Sequence, residues 1–506
     1  MILLVLIVGG YFAFLLYQFF QQRLRYPNGP QPLPFVGNVH FMVQKKDMIS
    51  ILGELGRRYN GMFTLWLPSP TVFITDYDLI REALVSNSVI FGDRPPHFMV
   101  EYRNGGCYGI VITNGRFWRQ QRQFALRTMT QIANTGSETE RLCIYLDEQI
   151  QLSASGNEFQ WQPGDSLMSC LGSIVGQLMF KHCFELPYDR KLHVLMEFAD
   201  LFSKTQIHPM SKLINQYPWL RHLPPFQNFW RELFQLLPEV FEFFQLKISE
   251  HREELSKAAA ENRDVMPDNF AAAYLHEMNK RIASGEPLDS FSEHQLTICL
   301  NEIWNAGVET STIMLRWAVY YMAIWHQAQD RLAEELHRVL GNDSPISTDD
   351  RSQLPFANAC VYELLRTSNI VPFNLPRQTT ADVKIGGQMI RKGTTVVAQI
   401  YSVMYDEQHF PQPHEFRPER FLDETGNQLN EGLVGRVLAF SRGQRQCPGE
   451  SVARKQLFIV LCTLVRRYRF RLSDVDQLKS KEELLSYSVD LFTRRPLNYA
   501  VVVSKR

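Results

Sequence analysis

Neither sign of charge is in excess in this chain of 506 residues: Lys plus Arg number 53, Asp plus Glu number 53, and the formal net charge is zero. Proteins that grip nucleic acid through its phosphates carry a basic surplus, so no nucleic acid partner is expected. Clustered cysteines are missing too. The eight stand at 107, 143, 170, 183, 299, 360, 447 and 462, and the nearest two are 13 residues apart. That spacing excludes a CxxC clamp for zinc or an iron–sulfur cluster. Cys299 and Cys462 lie in apolar runs and read as small buried hydrophobes, a usage that suits a reducing, cytosolic compartment. No stretch dominated by Pro, Gly or Ser marks a linker, and no repeat recurs at solenoid spacing. Length alone suggests about three domains, but one large globular domain is the better reading.

Charge is absent from Met1 to Gln22, and Ile2 to Phe20 are almost wholly apolar. Nineteen helical residues span about 28 Å, close to the hydrocarbon thickness of a bilayer. A cleaved signal peptide would show a basic start, a shorter apolar stretch and a small-residue cleavage site. Arg23 and Arg25 follow at once, and by the positive-inside rule they place the remainder in the cytosol. Residues 1–22 are therefore expected to form a transmembrane anchor. Residues 23–38 follow as a basic, proline-rich hinge, stiffened by four prolines between Pro27 and Pro34. Residues 39–506 are expected to form the one large globular domain.

Helical signals dominate from about Asp76 to His326, where the run Phe291 to His326 is apolar on most faces and suits a helix buried through the core. Ser137-Glu-Thr-Glu140 reads as a capping box. Short strands are expected near Thr64 to Ile74 and from Val383 to Ile400, with hairpin turns at Gly386-Gly387 and Lys392-Gly393. Cys447 to Phe470 reads as helix again. The class is mainly α with a minor β part.

The most informative segment is Phe440-Ser-Arg-Gly443-Gln-Arg445-Gln-Cys447-Pro-Gly449. Pro448 suits the first position of a helix, which places the Cys447 sulfur by a helix N-terminus, where N–H groups and the dipole favour a thiolate. Gly443 and Gly449 let backbone approach a flat ligand, and Arg445 adds a cation beside an anionic group. A thiolate ligand pushes electron density onto haem iron and favours O–O cleavage.

This segment resembles the signature Phe-x-x-Gly-x-Arg-x-Cys-x-Gly of the cytochrome P-450 superfamily, with all five residues at the required spacing. Many relatives carry proline before the phenylalanine; Ala439 stands there in this chain. Two motifs upstream agree with the resemblance. Glu363-Leu-Leu-Arg366 places an acid and a base on one helix face, and Phe416-Arg-Pro-Glu-Arg420-Phe421 supplies a second arginine. In the family these three charged residues lock the haem-side core. Ala306-Gly307-Val308-Glu309-Thr310-Ser311 interrupts the long helix with a glycine that leaves room for a distortion or a ligand.

The resemblance implies a cytochrome P-450 fold with an N-terminal transmembrane anchor helix, haem b (iron protoporphyrin IX) as cofactor and Cys447 as its metal ligand. It implies that Thr310 lies beside bound dioxygen and that Glu309 helps to deliver protons. Trp118 and Arg122 of Trp118-Arg-Gln-Gln-Arg122 would hold a haem propionate, and Arg377 another, with Phe440, Gly443, Arg445 and Gly449 completing the cofactor-binding set. Segments such as Asn114 to Trp118 and Tyr217 to Pro224 look most like the microsomal branch of animals, with an insect-like cast. That branch resides in the endoplasmic reticulum membrane and takes electrons from an NADPH-dependent cytochrome P-450 reductase, with cytochrome b5 as a second candidate donor. Arg119, Arg127 and Arg442 are candidates for the surface that meets the reductase.

The implied reaction inserts one atom of O2 into a small hydrophobic organic substrate: a steroid, fatty acid, terpenoid or xenobiotic. Aromatic-rich stretches at Pro96 to Val111, Phe202 to Pro225, Ile298 to Ala306, Ile370 to Leu375 and near Phe492 are expected to line its pocket. Two other readings stay open: a haem-thiolate isomerase or dehydratase that needs no reductase, and a non-catalytic haem or lipid carrier. The intact Glu309-Thr310 pair speaks against the isomerase.

Overall fold

The structure, a computed structural model, describes residues 2–506 except 34–36, 39–47, 68, 132–135, 154–155, 206–207, 262, 264–265, 342–343, 474–482, 484–486 and 491–492. Phe492 lies outside the described residues. The chain forms two compact units. One comprises Met1–Pro95, Val371–Pro413 and Leu438–Cys447; the other comprises Pro96–Ile370, His414–Val437 and Pro448–Arg506. Helices outnumber strands, as the hydrophobic periodicity predicts.

In the first unit, strands rich in aromatic and β-branched residues build a sheet in the order β1-β2-β7-β4. β1 (Met62–Trp66) is buried throughout and pairs antiparallel with β2 (Pro70–Ile74), so that Phe63 stacks on Phe73 with ring centroids 5.5 Å apart. β7 (Thr395–Ala398) lies parallel to β2, and the short β4 (Arg377–Gln378) runs antiparallel to β7 with Arg377 opposite Val396. The expected turn at Gly386-Gly387 does close a hairpin, between β5 (Val383–Ile385) and β6 (Gln388–Ile390), with both glycines at positive φ. The chain also turns at Lys392-Gly393, but there it leaves β6 for β7 in the other sheet, so no hairpin forms. Ile2–Arg23 is one helix of 22 residues. Among the described residues no helix is long and apolar enough to cross a membrane, and the anchor assignment therefore rests on the sequence.

The second unit is organised around the 32-residue helix Glu293–Ile324. Ser292 caps its start by accepting from the Gln295 N–H at 3.1 Å. Trp304, Val308 and Leu300 of this helix are buried in one cluster with Phe180, Phe184 and Phe244, where Phe180–Phe244 and Phe244–Trp304 meet edge to face. A three-stranded sheet, β3 (Glu158–Trp161), β11 (Val501–Lys505) and β8 (Tyr468–Leu472), and the hairpin of β9 (Tyr487–Asp490) with β10 (Thr493–Pro496) complete it.

Three local expectations are corrected. The last helix is Glu450–Arg467, not Cys447 to Phe470. Its continuation Tyr-Arg-Phe-Arg-Leu alternates apolar with basic residues, a period of two that buries Tyr468, Phe470 and Leu472 in β8. Pro448 does not open that helix either, since Gly449 is its N-cap and Glu450 its first residue. Ser137 lies inside the helix Gly136–Leu152, so it cannot serve as that helix's N-cap.

Candidate functional site

Each unit carries part of the expected site. In the first, Leu438–Cys447 is a loop whose backbone is bound to itself: Ser441 N–H donates to the Leu438 carbonyl at 2.8 Å, Gln446 N–H to Gly443 at 3.0 Å and Cys447 N–H to Phe440 at 2.9 Å. Ser441 and Gly443 adopt left-handed φ of 63° and 79°. A Cβ added to Gly443 would lie 1.8 Å from the Leu84 carbonyl oxygen, so an approach of the chain's own backbone already requires glycine here. Two buried arginines fix the loop, Arg377 from outside it and Arg445 from within it. Arg377 on β4 donates to the Ser441 hydroxyl at 3.0 Å, and Arg445 Nε donates to the Gly92 carbonyl at 2.7 Å. Sequence reasoning missed a third. Arg94, buried, donates to the carbonyls of Leu375 and Pro376 at 2.9 and 2.6 Å and so fixes the segment that delivers Arg377.

The thiols separate by environment. All eight are free, and Cys143, Cys170, Cys299, Cys360 and Cys462 are buried, as the apolar runs suggest. Cys107, Cys183 and Cys447 are exposed. Partial burial, then the nearby Glu101, push the Cys107 thiol up. Partial burial also raises Cys183, and Glu138 adds to it. A metal-binding thiolate needs the opposite influence. Cys447 alone ends a loop braced by two buried arginines.

In the second unit, Trp118 is buried on the helix Gly115–Gln131, and the Arg122 guanidinium sits 5.6 Å over its ring. This is the one-turn pairing the spacing predicts. Gly449, expected among the cofactor-binding residues, caps the last helix. The long helix runs without interruption through Ala306–Ser311. Gly307 faces Val175, whose two methyls would lie 3.4 Å from an added Cβ, so the glycine stands at a helix–helix approach. The Thr310 hydroxyl donates to the Ala306 carbonyl at 2.7 Å. Glu309 is joined to Arg495 of β10 at 2.6 Å, a partner that sequence reasoning did not find.

The expected charged lock is present. Glu363 and Arg366 form two hydrogen bonds of 2.7 and 2.9 Å with both side chains fully buried; Arg420 Nε and the Arg417 N–H add two more to the same carboxylate at 3.1 and 2.8 Å. Three of the expected substrate-lining stretches meet within this unit. Asn215 accepts from the Met99 N–H at 3.0 Å, and Arg221 lies 5.0 Å over the Phe98 ring. Glu302 of the long helix, buried, accepts from the N–H groups of Ile110 and Val111 at 2.8 and 3.1 Å, from Asn104 at 2.9 Å and from Arg103 at 3.2 Å. Nothing in the residues around position 302 signals this buried carboxylate in advance.

The donor set fits a haem. Among the described residues no three His, Cys, Asp or Glu side chains are grouped to hold a metal ion, and a macrocycle that brings its own four nitrogens needs only one protein ligand. Cys447 is suited to that position, with Arg445 in its loop and Arg377 against that loop for anionic groups. The fold and these residues define a haem-thiolate protein. The chain belongs to the cytochrome P450 family, whose profile matches residues 27–502. It is 31% identical to probable cytochrome P450 CYP36A1 of Caenorhabditis elegans over 457 residues, 89% of this chain and 90% of that one. It is also 31% identical to human cytochrome P450 2J2 over 483 residues (93% and 91%) and to cytochrome P450 2K6 of Danio rerio over 444 residues (87% and 84%). It is accordingly a cytochrome P450 monooxygenase with haem b as its cofactor.

Proposed function

We propose that this enzyme inserts one oxygen atom of O2 into a small hydrophobic organic substrate, using electrons from NADPH through a membrane-bound flavoprotein reductase. The observation that carries the reading is the braced loop ending at Cys447, an exposed residue whose backbone N–H donates to the Phe440 carbonyl while arginine contacts to Ser441 and Gly92 fix the loop. Cys447 is the metal ligand in this reading, and the bound haem supplies the activation of dioxygen. Phe440 and Gly443 shape the ligand loop, Gly449 caps the helix after it, and Trp118, Arg122, Arg377 and Arg445 hold the cofactor's carboxylates. Thr310 handles oxygen and Glu309 supplies protons.

An apolar substrate is supported by the aromatic cluster of Phe98, Tyr102, Trp230 and Phe234, with Phe202 against Phe234. Steroid, fatty acid, terpenoid and xenobiotic all share that chemistry. Residues 1–22 act as a transmembrane anchor, 23–38 as the hinge and 39–506 as the catalytic domain, which faces the cytosol from the endoplasmic reticulum. Support comes from the uncharged first 22 residues followed by Arg23 and Arg25, and from exposed Tyr11, Phe14 and Tyr17 on the first helix. Exposed Arg119 and Arg127, with Arg442, offer cations to an acidic reductase or to cytochrome b5.

Membranes carrying the protein, incubated with a panel of hydrophobic compounds, test the reading. NADPH, O2 and added reductase should together be required for a product one oxygen atom heavier. Conversion of a hydroperoxide without reductase would favour the isomerase reading instead.

A further inference from the structure

Glu309 is not presented toward solvent as a simple proton donor would be. Arg495 of β10 closes on it at 2.6 Å and, with its other terminal nitrogen, on Asp200 of the helix Arg190–Thr205 at 2.7 Å. Lys204, one turn further along that helix, pairs with the second Asp200 oxygen at 2.5 Å. Arg495 and Glu309 are both largely buried, with 19% and 16% of their side chains exposed, so the contact is less screened than a surface bridge. Planar guanidinium geometry suits two carboxylates at once, which a lysine at this position could not match. One arginine therefore ties three elements together: the long helix, the β9–β10 hairpin and the helix that carries Phe198 and Phe202. Neighbouring residues on an α-helix point about 100° apart. With Glu309 fastened to Arg495 and Thr310 bonded to the Ala306 carbonyl, acid and alcohol are held in separate directions.

We propose that Arg495 is the positioning residue for proton delivery: it clasps Glu309 between turnovers, and proton transfer toward Thr310 requires Glu309 to leave the clasp. On release the carboxylate takes up one proton from water, passes one on toward the Thr310 hydroxyl and returns to Arg495 as the anion. Because Asp200 shares the same guanidinium, movement of the Arg190–Thr205 helix is coupled to that release. The inference rests on the reading of Glu309 and Thr310 as the proton and oxygen residues.

The test uses the full-length, haem-loaded protein with reductase and NADPH and no added substrate. The rate of NADPH oxidation is compared in H2O and D2O, and deuterium exchange is followed across residues 195–205. In Arg495→Met, oxidation should be at least threefold faster, with a solvent isotope effect nearer one and faster exchange in that helix. Adding Glu309→Gln should abolish the kinetic gain, leaving the double variant equal to Glu309→Gln alone. If Arg495→Met fails to load haem, Arg495→Lys, which keeps the charge but not both contacts, should fall between wild type and these values. Wild-type rate and isotope effect in the variant, slower oxidation, or the same gain in the Glu309→Gln background would each overturn the clasp. Failure of the underlying reading shows separately, as a wild-type protein without a thiolate-type carbon monoxide spectrum.

Discussion

Arg366 and Glu363 face each other across one helical turn with two hydrogen bonds and no exposure to solvent on either side chain. Most i,i+3 ion pairs are solvated and contribute under about 1 kcal/mol. This one is different because the Glu363 carboxylate also accepts from Arg420 and from the Arg417 backbone. Removing one partner of a buried pair leaves a charge without compensation, at a cost of about 3–5 kcal/mol. Glu363→Ala is therefore expected to unfold at much lower denaturant concentration and to recover little haem, while Glu363→Gln, which keeps one acceptor, should lose less. Denaturation midpoints and haem-to-protein ratio measure both.

Gly443 combines φ of 79° with the 1.8 Å approach to Leu84. The backbone conformation alone costs a residue with a Cβ about 1–3 kcal/mol, and the clash adds to it because a carbonyl oxygen cannot swing aside like a side-chain end. Gly443→Ala should accumulate as protein with a disturbed Cys447 loop, visible as a low fraction of thiolate-type spectrum per haem. A full thiolate signal would show that the loop tolerates displacement.

Glu302 satisfies four donors from residues 103–111. Glu302→Leu strands those donors and should destabilise the protein by about 3–5 kcal/mol. Deuterium exchange at Ile110 and Val111 should rise well beyond that of the core strands. Unchanged protection there would mean that the segment is held by other contacts, such as Gln295 with the Gly109 backbone at 2.8 Å.

Alkaline pH should weaken the fold through its buried thiols. Burial pushes Cys143 from 9.0 up to about 12, and Cys170, Cys299, Cys360 and Cys462 are also raised by burial. Their native pKa exceeds the unfolded value, so above pH 9 the unfolded chain loses protons that the native chain keeps. Stability contributed by each thiol is present below pH 9 and falls as pH rises, by up to about 1.4 kcal/mol per unit. Urea midpoints at pH 8, 9 and 10 should decline progressively, and Cys143→Ala should flatten part of that slope. A midpoint independent of pH between 8 and 10 would contradict the linkage.

What the sequence made legible is what lies close together along the chain. The Cys447 loop is a contiguous signature, Glu363 and Arg366 are one turn apart, and the Glu293–Ile324 helix announces itself by an unbroken apolar run. Arg94, Glu302 and Arg495 were invisible because their partners lie 281, 192 and 186 residues away and each is a common residue type in an ordinary setting. The β8 strand was missed because its two-residue alternation follows directly on a helix with no turn residue between. Gly307 reads from the sequence as room for a distortion or a ligand; its contact with the Val175 methyls was not legible, because they come from a helix more than a hundred residues earlier.

The central claim is that Cys447 binds the haem iron as a thiolate, and the carbon monoxide difference spectrum of the reduced, membrane-expressed protein tests it most directly. Wild type should give a strongly red-shifted Soret band, and Cys447→Ala should lose it at comparable protein level. A red-shifted band that survives in Cys447→Ala would contradict the assignment, and with it the role of the Leu438–Cys447 loop in presenting the ligand.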